Sequence, residues 1–503
     1  MRRSRHGLAA ATFVLTSSSH ALATPTLETL GPVGSHGGFA PIVSDPSAAS
    51  AYFNPAGLSS AKEDFMLGFS VLSEQISLTL DGRPSGSDVP LSVGSRDIIG
   101  PDGQPIPNQV VPTQWLQEGC EPGSGAGQCP APAFTKRARQ AAGASGKSYA
   151  YLSIGAVKQL VKDRLSVGLL FTLPLLNLTT ARSFYADERE ALFSNSLKPE
   201  LYGDRLTEIS IALAASFRIM KGLDFGLGTT IGLTNTADAQ TYVRESSNYD
   251  SLLLNNDVSV QAALSPIVGV RWTPIDRLRF GGTLHAPHSL EIDATIAATL
   301  PSGTSSQTTR KQVHDWLPWR VGVAGEWDFR KTAHYTGTVA AQVRWAGWSG
   351  YEDRHGISPE DYGTDLAWHN TLTWSVGVRH RWKAFSGYAD FQYAPSPVPL
   401  QVGRSNYVDS DRFGVMTGAR LDLKLGGVTL RPGIDLVGYR LAYRYVKKDD
   451  ARLTDELPDG SRFGSTGDTV PGAKGLQTNN PGFPGFTSEG YVFGGSLVLD
   501  VVL

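Results

Sequence analysis

Apolar and polar residues alternate along run after run of this chain, and the runs are joined by tight turns at one end and long polar stretches at the other. A period of two puts one set of side chains on each face of a strand. From Leu223, one face carries Leu223, Phe225, Leu227, Thr229, Ile231 and Leu233. The other carries Asp224, Gly226, Gly228, Thr230, Gly232 and Thr234. Near Trp319, the apolar row is Trp319, Val321, Val323, Gly325, Trp327 and Phe329, and its partners are Arg320, Gly322, Ala324, Glu326, Asp328 and Arg330. The turns fall at Val161–Arg164, Lys221-Gly222, Pro274–Arg277 and Leu425–Gly427, short and rich in Gly, Asp and basic residues, as hairpins require. The long connections fall at 81–147, 181–203, 299–313, 350–368 and 446–487. Short turns at one end with long loops at the other is the pattern of an outer-membrane β-barrel.

The runs predict an all-β fold: a closed antiparallel transmembrane β-barrel of about fourteen strands. These lie near 64–80, 148–161, 165–180, 204–220, 223–240, 254–273, 277–298, 314–329, 335–349, 369–383, 386–395, 410–424, 428–445 and 488–503. The same rows could line the dry centre of a soluble sandwich. Trp345, Trp348, Trp374 and Trp382 near strand ends favour lipid, because interfacial aromatic girdles sit there. So does the last run, where Tyr491, Phe493, Leu497, Leu499, Val501 and Leu503 share a face. A mean hydropathy of -0.16 fits a barrel, since half of each strand faces a polar lumen.

Arg2, Arg3 and Arg5, the apolar run Gly7–Leu15 and Ala21-Leu22-Ala23 read as a signal peptide over 1–23, with a mature chain from near Thr24. No other segment has the ~18 consecutive apolar residues of a spanning helix. A net charge of -2 gives no electrostatic case for nucleic acid. Cys120 and Cys129, close together in a Pro/Gly-rich loop, form a candidate disulfide outside the cytoplasm.

Residues 24–63 do not alternate. They hold Ser44-Asp45-Pro46-Ser47-Ala48-Ala49 and then Tyr52-Phe53-Asn54-Pro55-Ala56-Gly57-Leu58. That stretch resembles the N-terminal hatch of the FadL/TodX (OmpP1) family of outer-membrane transporters. Further family-like segments follow in order: Arg344-Trp345-Ala346-Gly347-Trp348-Ser349, then Pro395–Pro399 with Asn406–Arg412, then Pro481–Gly485. The resemblance covers nearly all of the mature chain. It departs in Leu503, where an aromatic residue is usual, and in the long first loop 81–147. It implies a monomeric barrel over 64–503 plugged by a hatch over 24–63, with long extracellular loops at 81–147 and 446–487. It also implies passive uptake of long-chain fatty acids or other hydrophobic compounds, with ligand leaving sideways through the wall. The implied partners are a hydrophobic small molecule, outer-membrane lipid and lipopolysaccharide, and the barrel-assembly machinery during biogenesis.

Candidate site residues follow. Asn54, Pro55, Ala56 and Gly57 are the hatch motif. Pro55 fixes φ and lacks an N–H, and Asn54 can bond nearby backbone. Pro174, in Leu173-Pro174-Leu175, cannot donate to a sheet ladder, so a bulge or gap is expected, either bordering a lateral exit or with no transport role. Arg320, Arg344, Arg379 and His285 face the lumen by alternation. The arginines either meet a ligand head group or balance lumen acids such as Glu326.

Ala141–Ser148 looks like a loosened phosphate-binding loop but lacks the strand before and helix after that such a loop needs. His285 and His288 lack the carboxylate cluster of a metal site. Neither a Gly-x-Ser-x-Gly elbow nor a His-Glu-x-x-His motif occurs, so no catalytic residue, metal or cofactor is expected. General diffusion porin, lipid-acting barrel enzyme and loop-borne adhesin are the competing functions.

Overall fold

The computed structural model describes residues 25–81, 140–141, 144–176, 206, 209–243, 252–299, 305–352, 356, 358–362, 367–401, 407–447 and 485–503. The strands are β1 (Asp64–Leu80), β2 (Gln140–Ala141), β3 (Ala144–Val161), β4 (Leu165–Pro174), β5 (Ser210–Met220) and β6 (Leu223–Val243). Then come β7 (Leu252–Ile275), β8 (Leu278–His285), β9 (His288–Thr299), β10 (Ser305–Leu317), β11 (Arg320–Lys331) and β12 (Tyr335–Ala346). The last are β13 (Thr371–Trp382), β14 (Phe385–Ala394), β15 (Arg412–Leu421), β16 (Leu423–Leu425), β17 (Val428–Lys447) and β18 (Gly485–Val502).

Among the described residues, fourteen strands close a ring. The order is β1, β3, β4, β5, β6, β7, β8, β11, β12, β13, β14, β15, β17 and β18, each antiparallel to the next. The seam is β18 on β1, in unbroken register from Asp64↔Val502 to Leu80↔Phe486. Closure gives every wall strand a partner on both sides, which is what lets a sheet stand in lipid. The short β2 pairs with β1 ahead of β3, and β16 continues β15 past Asp422.

The two faces match the alternation. Leu227, Val323 and Leu497 are 55 %, 58 % and 62 % exposed on the outer face, while Asp224 and Asp328 are 3 % and 2 % exposed on the inner one. Tight turns use left-handed backbone at Asp163, Gly222, Lys383 and Gly426. At Gly222 a Cβ would meet the Thr273 carbonyl oxygen at 2.6 Å, so that turn needs glycine.

Four expectations need correction. The run read as one strand over 277–298 breaks at Ala286-Pro287. Pro287 lacks a donor, and the Ala286 N–H turns to the Pro266 carbonyl at 2.9 Å. The stretch 299–313, read as loop, instead contains most of β10. β9 and β10 form a hairpin outside the ring, and β9 pairs parallel with β6 over Asn235–Tyr242. The strand expected at 314–329 is two strands, divided at Pro318-Trp319. Trp348 does not join the girdle with Trp345, Trp374 and Trp382. It sits in a 3-10 turn beyond β12 and is 8 % exposed, packed among other aromatics.

Residues 25–61 lie against the lumen face. They form helix α1 (Pro25–Leu30), helix α2 (Ser50–Phe53) and a 3-10 turn over Pro55–Ser60. Gly31, at φ +76, ends α1. Leu27, Leu30, Val33, Phe39, Tyr52 and Leu58 share one apolar core with Met66, Leu72, Ile76, Leu170 and Tyr439 of the wall. Burying side chains of this size is worth about 1.5–3 kcal/mol each, so the segment is a packed part of the barrel. The signal-peptide expectation over 1–23 lies outside the described residues.

Candidate functional site

Asn54-Pro55-Ala56-Gly57 forms a close junction between the N-terminal segment and the wall. Asn54 is both the C-cap of α2 and the N-cap of the following 3-10 turn, and Pro55 opens that turn, where a missing N–H costs nothing. The Asn54 side-chain oxygen accepts from Ala56 N at 3.1 Å. Its nitrogen donates to the carbonyls of Ile42 at 2.6 Å and Val270 at 3.2 Å. One amide thus ties two parts of the segment to β7. The wall makes room with glycine: a Cβ on Gly226 would strike the Pro55–Ala56 peptide, and one on Gly269 would strike Asn54 Oδ1. At Gly57 a Cβ would meet Ser50 Oγ at 2.7 Å. Ser59 bonds Ser216 at 2.5 Å, and Ser60 bonds Asp224 at 3.1 Å.

The arginines of the polar rows bond to the N-terminal segment and to wall acids. Arg320 donates to Glu28 at 2.7 Å, and Arg344 is ion-paired with the second oxygen of the same carboxylate. Arg379 donates to Asp390 at 2.7 Å and to the Gly37 carbonyl at 2.6 Å. Glu326, the acid expected to balance them, is held instead by Arg279 at 2.5 Å. The partners of Arg320 and Arg344 come from the N-terminal segment, which carries no alternation to reveal them. His285 closes β8 and packs its ring edge-on to Tyr52, with centroids 5.2 Å apart.

Sequence reasoning missed three further groups. Arg420, fully buried, pairs with Asp435 at 2.7 Å, and Tyr388 donates to the same carboxylate at 2.9 Å. Arg279 also pairs with Asp328. At the long-loop end, Trp348, Tyr351, Trp368, Val398 and Tyr407 cluster with Ala346, and Trp316 packs against them. Tyr351 and Trp368 stack with centroids 3.6 Å apart. The density of Trp and Tyr over 345–368 was the available signal.

Electrostatics of the segment follow from its burial. Burial alone would raise the Glu28 carboxyl, but Arg344 and Arg320 outweigh it and hold the group at about 2. Burial pushes His36 down; the Asp45 carboxylate opposes this, and Arg420, Arg431 and Arg381 add to it. His36 is therefore neutral in place, and its backbone N–H donates to the Asp45 carboxylate at 2.6 Å.

Pro174 is the last residue of β4. Among the described residues the ladder between β4 and β5 runs to Thr172↔Ser210, while β6 beyond runs on to Val243. Cys120 and Cys129 lie outside the described residues. Between the segment and the wall, Glu28, Ile42, Phe53, His285, Arg320 and Gln342 border an enclosed void of about 10 Å³, room for about one water.

Residues 198–425 match the family model described as outer membrane protein transport protein (OMPP1/FadL/TodX). No curated protein matches the chain. Similar solved structures include the Pseudomonas putida toluene transporter TodX, at 10 % identity and a TM-score of 0.44, over 91 % of this chain and 94 % of that one. The Ralstonia pickettii toluene transporter TbuX is similar at 10 % identity and a TM-score of 0.42, over 96 % and 98 %. The CymD monoaromatic hydrocarbon channel is similar at 10 % identity and a TM-score of 0.40, over 96 % and 98 %. The closed wall with its apolar outer rows is an outer-membrane barrel. By its residues 198–425, this barrel matches the OMPP1/FadL/TodX family of outer-membrane transport proteins.

Proposed function

We propose that the barrel passes hydrophobic small molecules, long-chain fatty acids or related lipophiles, inward across the outer membrane without chemistry on them. Residues 24–63 act as its hatch. The observation that carries this reading is a lumen filled by the chain's own N-terminal segment, in contact from Glu28 at the long-loop end to Ser60 at the short-turn end. A general diffusion porin needs an open aqueous path, whereas here the N-terminal segment packs against the inner face of the wall. An apolar ligand, by contrast, gains about 25 cal/mol per Å² on leaving water for an apolar site.

In this reading the long-loop end faces outward, and ligand leaves sideways beside Pro174, two residues past the last β4–β5 pair among the described residues. Labelled fatty-acid uptake and planar-bilayer conductance, each with and without residues 24–63, test it. Uptake by the whole chain with low conductance, and large conductance after removal of the segment, is the expected result. Large steady conductance of the whole chain would return the porin reading.

A further inference from the structure

Glu28 is the acid of helix α1, and its two oxygens are divided between two wall arginines. Oε1 accepts from Arg320 at 2.7 Å, and Oε2 is ion-paired with Arg344. The Tyr52 hydroxyl donates to Oε1 at 2.9 Å and accepts from Arg320 at 2.7 Å. Two guanidinium groups and a hydroxyl around one carboxylate is how proteins recognise carboxylates in general. Nothing in that geometry requires the carboxylate to belong to the chain.

The position of the group matters as much as its chemistry. Arg320 opens β11, and Arg344 lies two residues before the end of β12, so both stand at the long-loop end of the wall. Ala346, the register partner of Arg320, is itself part of the aromatic cluster with Trp348, Tyr351 and Trp368. Buried apolar side chains therefore border the pair of cations at the long-loop end. The void beside Glu28 has room for about one water, and a head group that met both arginines would take the place of the Glu28 carboxylate.

We propose that Arg320, Arg344 and Tyr52 form a receptor for the carboxylate head of an amphiphilic ligand, kept shut by Glu28 as a resident competitor, so that binding there is an exchange of one carboxylate for another. This rests on the transport reading above and adds the charge of the ligand to it. Exchange of one anion for another leaves both arginines neutralised. A neutral ligand that displaced Glu28 would leave two largely buried cations without a counter-charge, which is strongly unfavourable. The device thus favours anionic amphiphiles over neutral lipophiles of the same length.

The test uses the full chain in detergent micelles and two probes, palmitate and methyl palmitate, with binding measured by equilibrium dialysis. Glu28→Gln removes the competitor and keeps the shape. Palmitate affinity should rise about tenfold, the worth of one strong charge-assisted contact, while methyl palmitate is unchanged. Glu28→Asp keeps the charge and shortens the reach, so it should fall between the wild type and Glu28→Gln even if the latter loosens the fold. Adding Arg320→Gln and Arg344→Gln to Glu28→Gln should abolish the gain for palmitate alone. An equal shift for acid and ester, or no shift for either in both Glu28 variants, overturns the exchange while leaving transport standing, because the ester still binds. Failure of every form to bind either probe removes the transport reading, and the exchange with it.

Discussion

Asn54 donates its side-chain N–H to the carbonyl of Val270 at 3.2 Å, across 216 positions of chain, and so fastens the N-terminal segment to strand β7. The same amide bonds Ile42 and caps the turn that begins at Pro55. Asn54→Ala leaves those buried carbonyls without their donor and removes the cap. The cost to docking of the segment should be about 1–3 kcal/mol. Limited proteolysis in detergent should then cut within residues 25–61 while the wall stays intact. An unchanged digestion pattern would contradict the role of Asn54 as a fastening of the segment.

Gly226 faces the Pro55–Ala56 peptide with no room for a side chain. Gly226→Val should overpack that contact, at about 1–3 kcal/mol, and push the segment off the wall. Single-channel conductance should rise in planar bilayers, whereas the outward change Leu227→Val should leave it alone.

Acid should loosen the segment in two stages. His36 titrates below its ordinary 6.5 because it is buried, so docking weakens as pH falls below 6.5, where the freed imidazole takes up a proton and the docked one does not. Burial raises the Glu28 carboxyl, but its arginines lower it further, to about 2. Its contribution is therefore complete above the ordinary 4.5 and is lost as pH falls from there towards 2. Protease sensitivity followed from pH 7 to 3 should show both stages (about neutral to strongly acid). His36→Gln should remove only the first, and a single unaltered transition would refute it.

Thr172 and Ser210 are, among the described residues, the last pair of the β4–β5 ladder before Pro174. Thr172→Cys with Ser210→Cys should lock the wall there when oxidised. Uptake of hydrophobic ligand should fall and recover on reduction. Unchanged uptake by the oxidised form would remove Pro174 from the exit route.

Arg420 and Asp435 form a buried pair that Tyr388 completes. Arg420→Ala strands a buried carboxylate, and stability should fall by about 3–5 kcal/mol. Urea unfolding followed by tryptophan fluorescence measures it. The removal of both charges by Arg420→Met with Asp435→Leu should recover most of the loss.

The wall was legible from residues alone because its rule is local. Whether Leu227 or Gly228 faces lipid is decided by odd and even position within one strand, and a barrel repeats that decision in every strand. For the same reason the alternation sets Arg320, Arg344 and Arg379 in the rows opposite the apolar ones, and β1, β6 and β12 began close to where the pattern put them. Partners are not local. Glu28 meets Arg320 across 292 positions and Arg344 across 316, on a segment with no period, and only the folded ring brings them together. The departure of β9 and β10 from the wall, and of Trp348 from the girdle, was hidden likewise. An alternating run states which faces are apolar, but whether the next strand over is a wall neighbour or a hairpin leaving the ring depends on which backbone donors remain to be paired once the ring has closed.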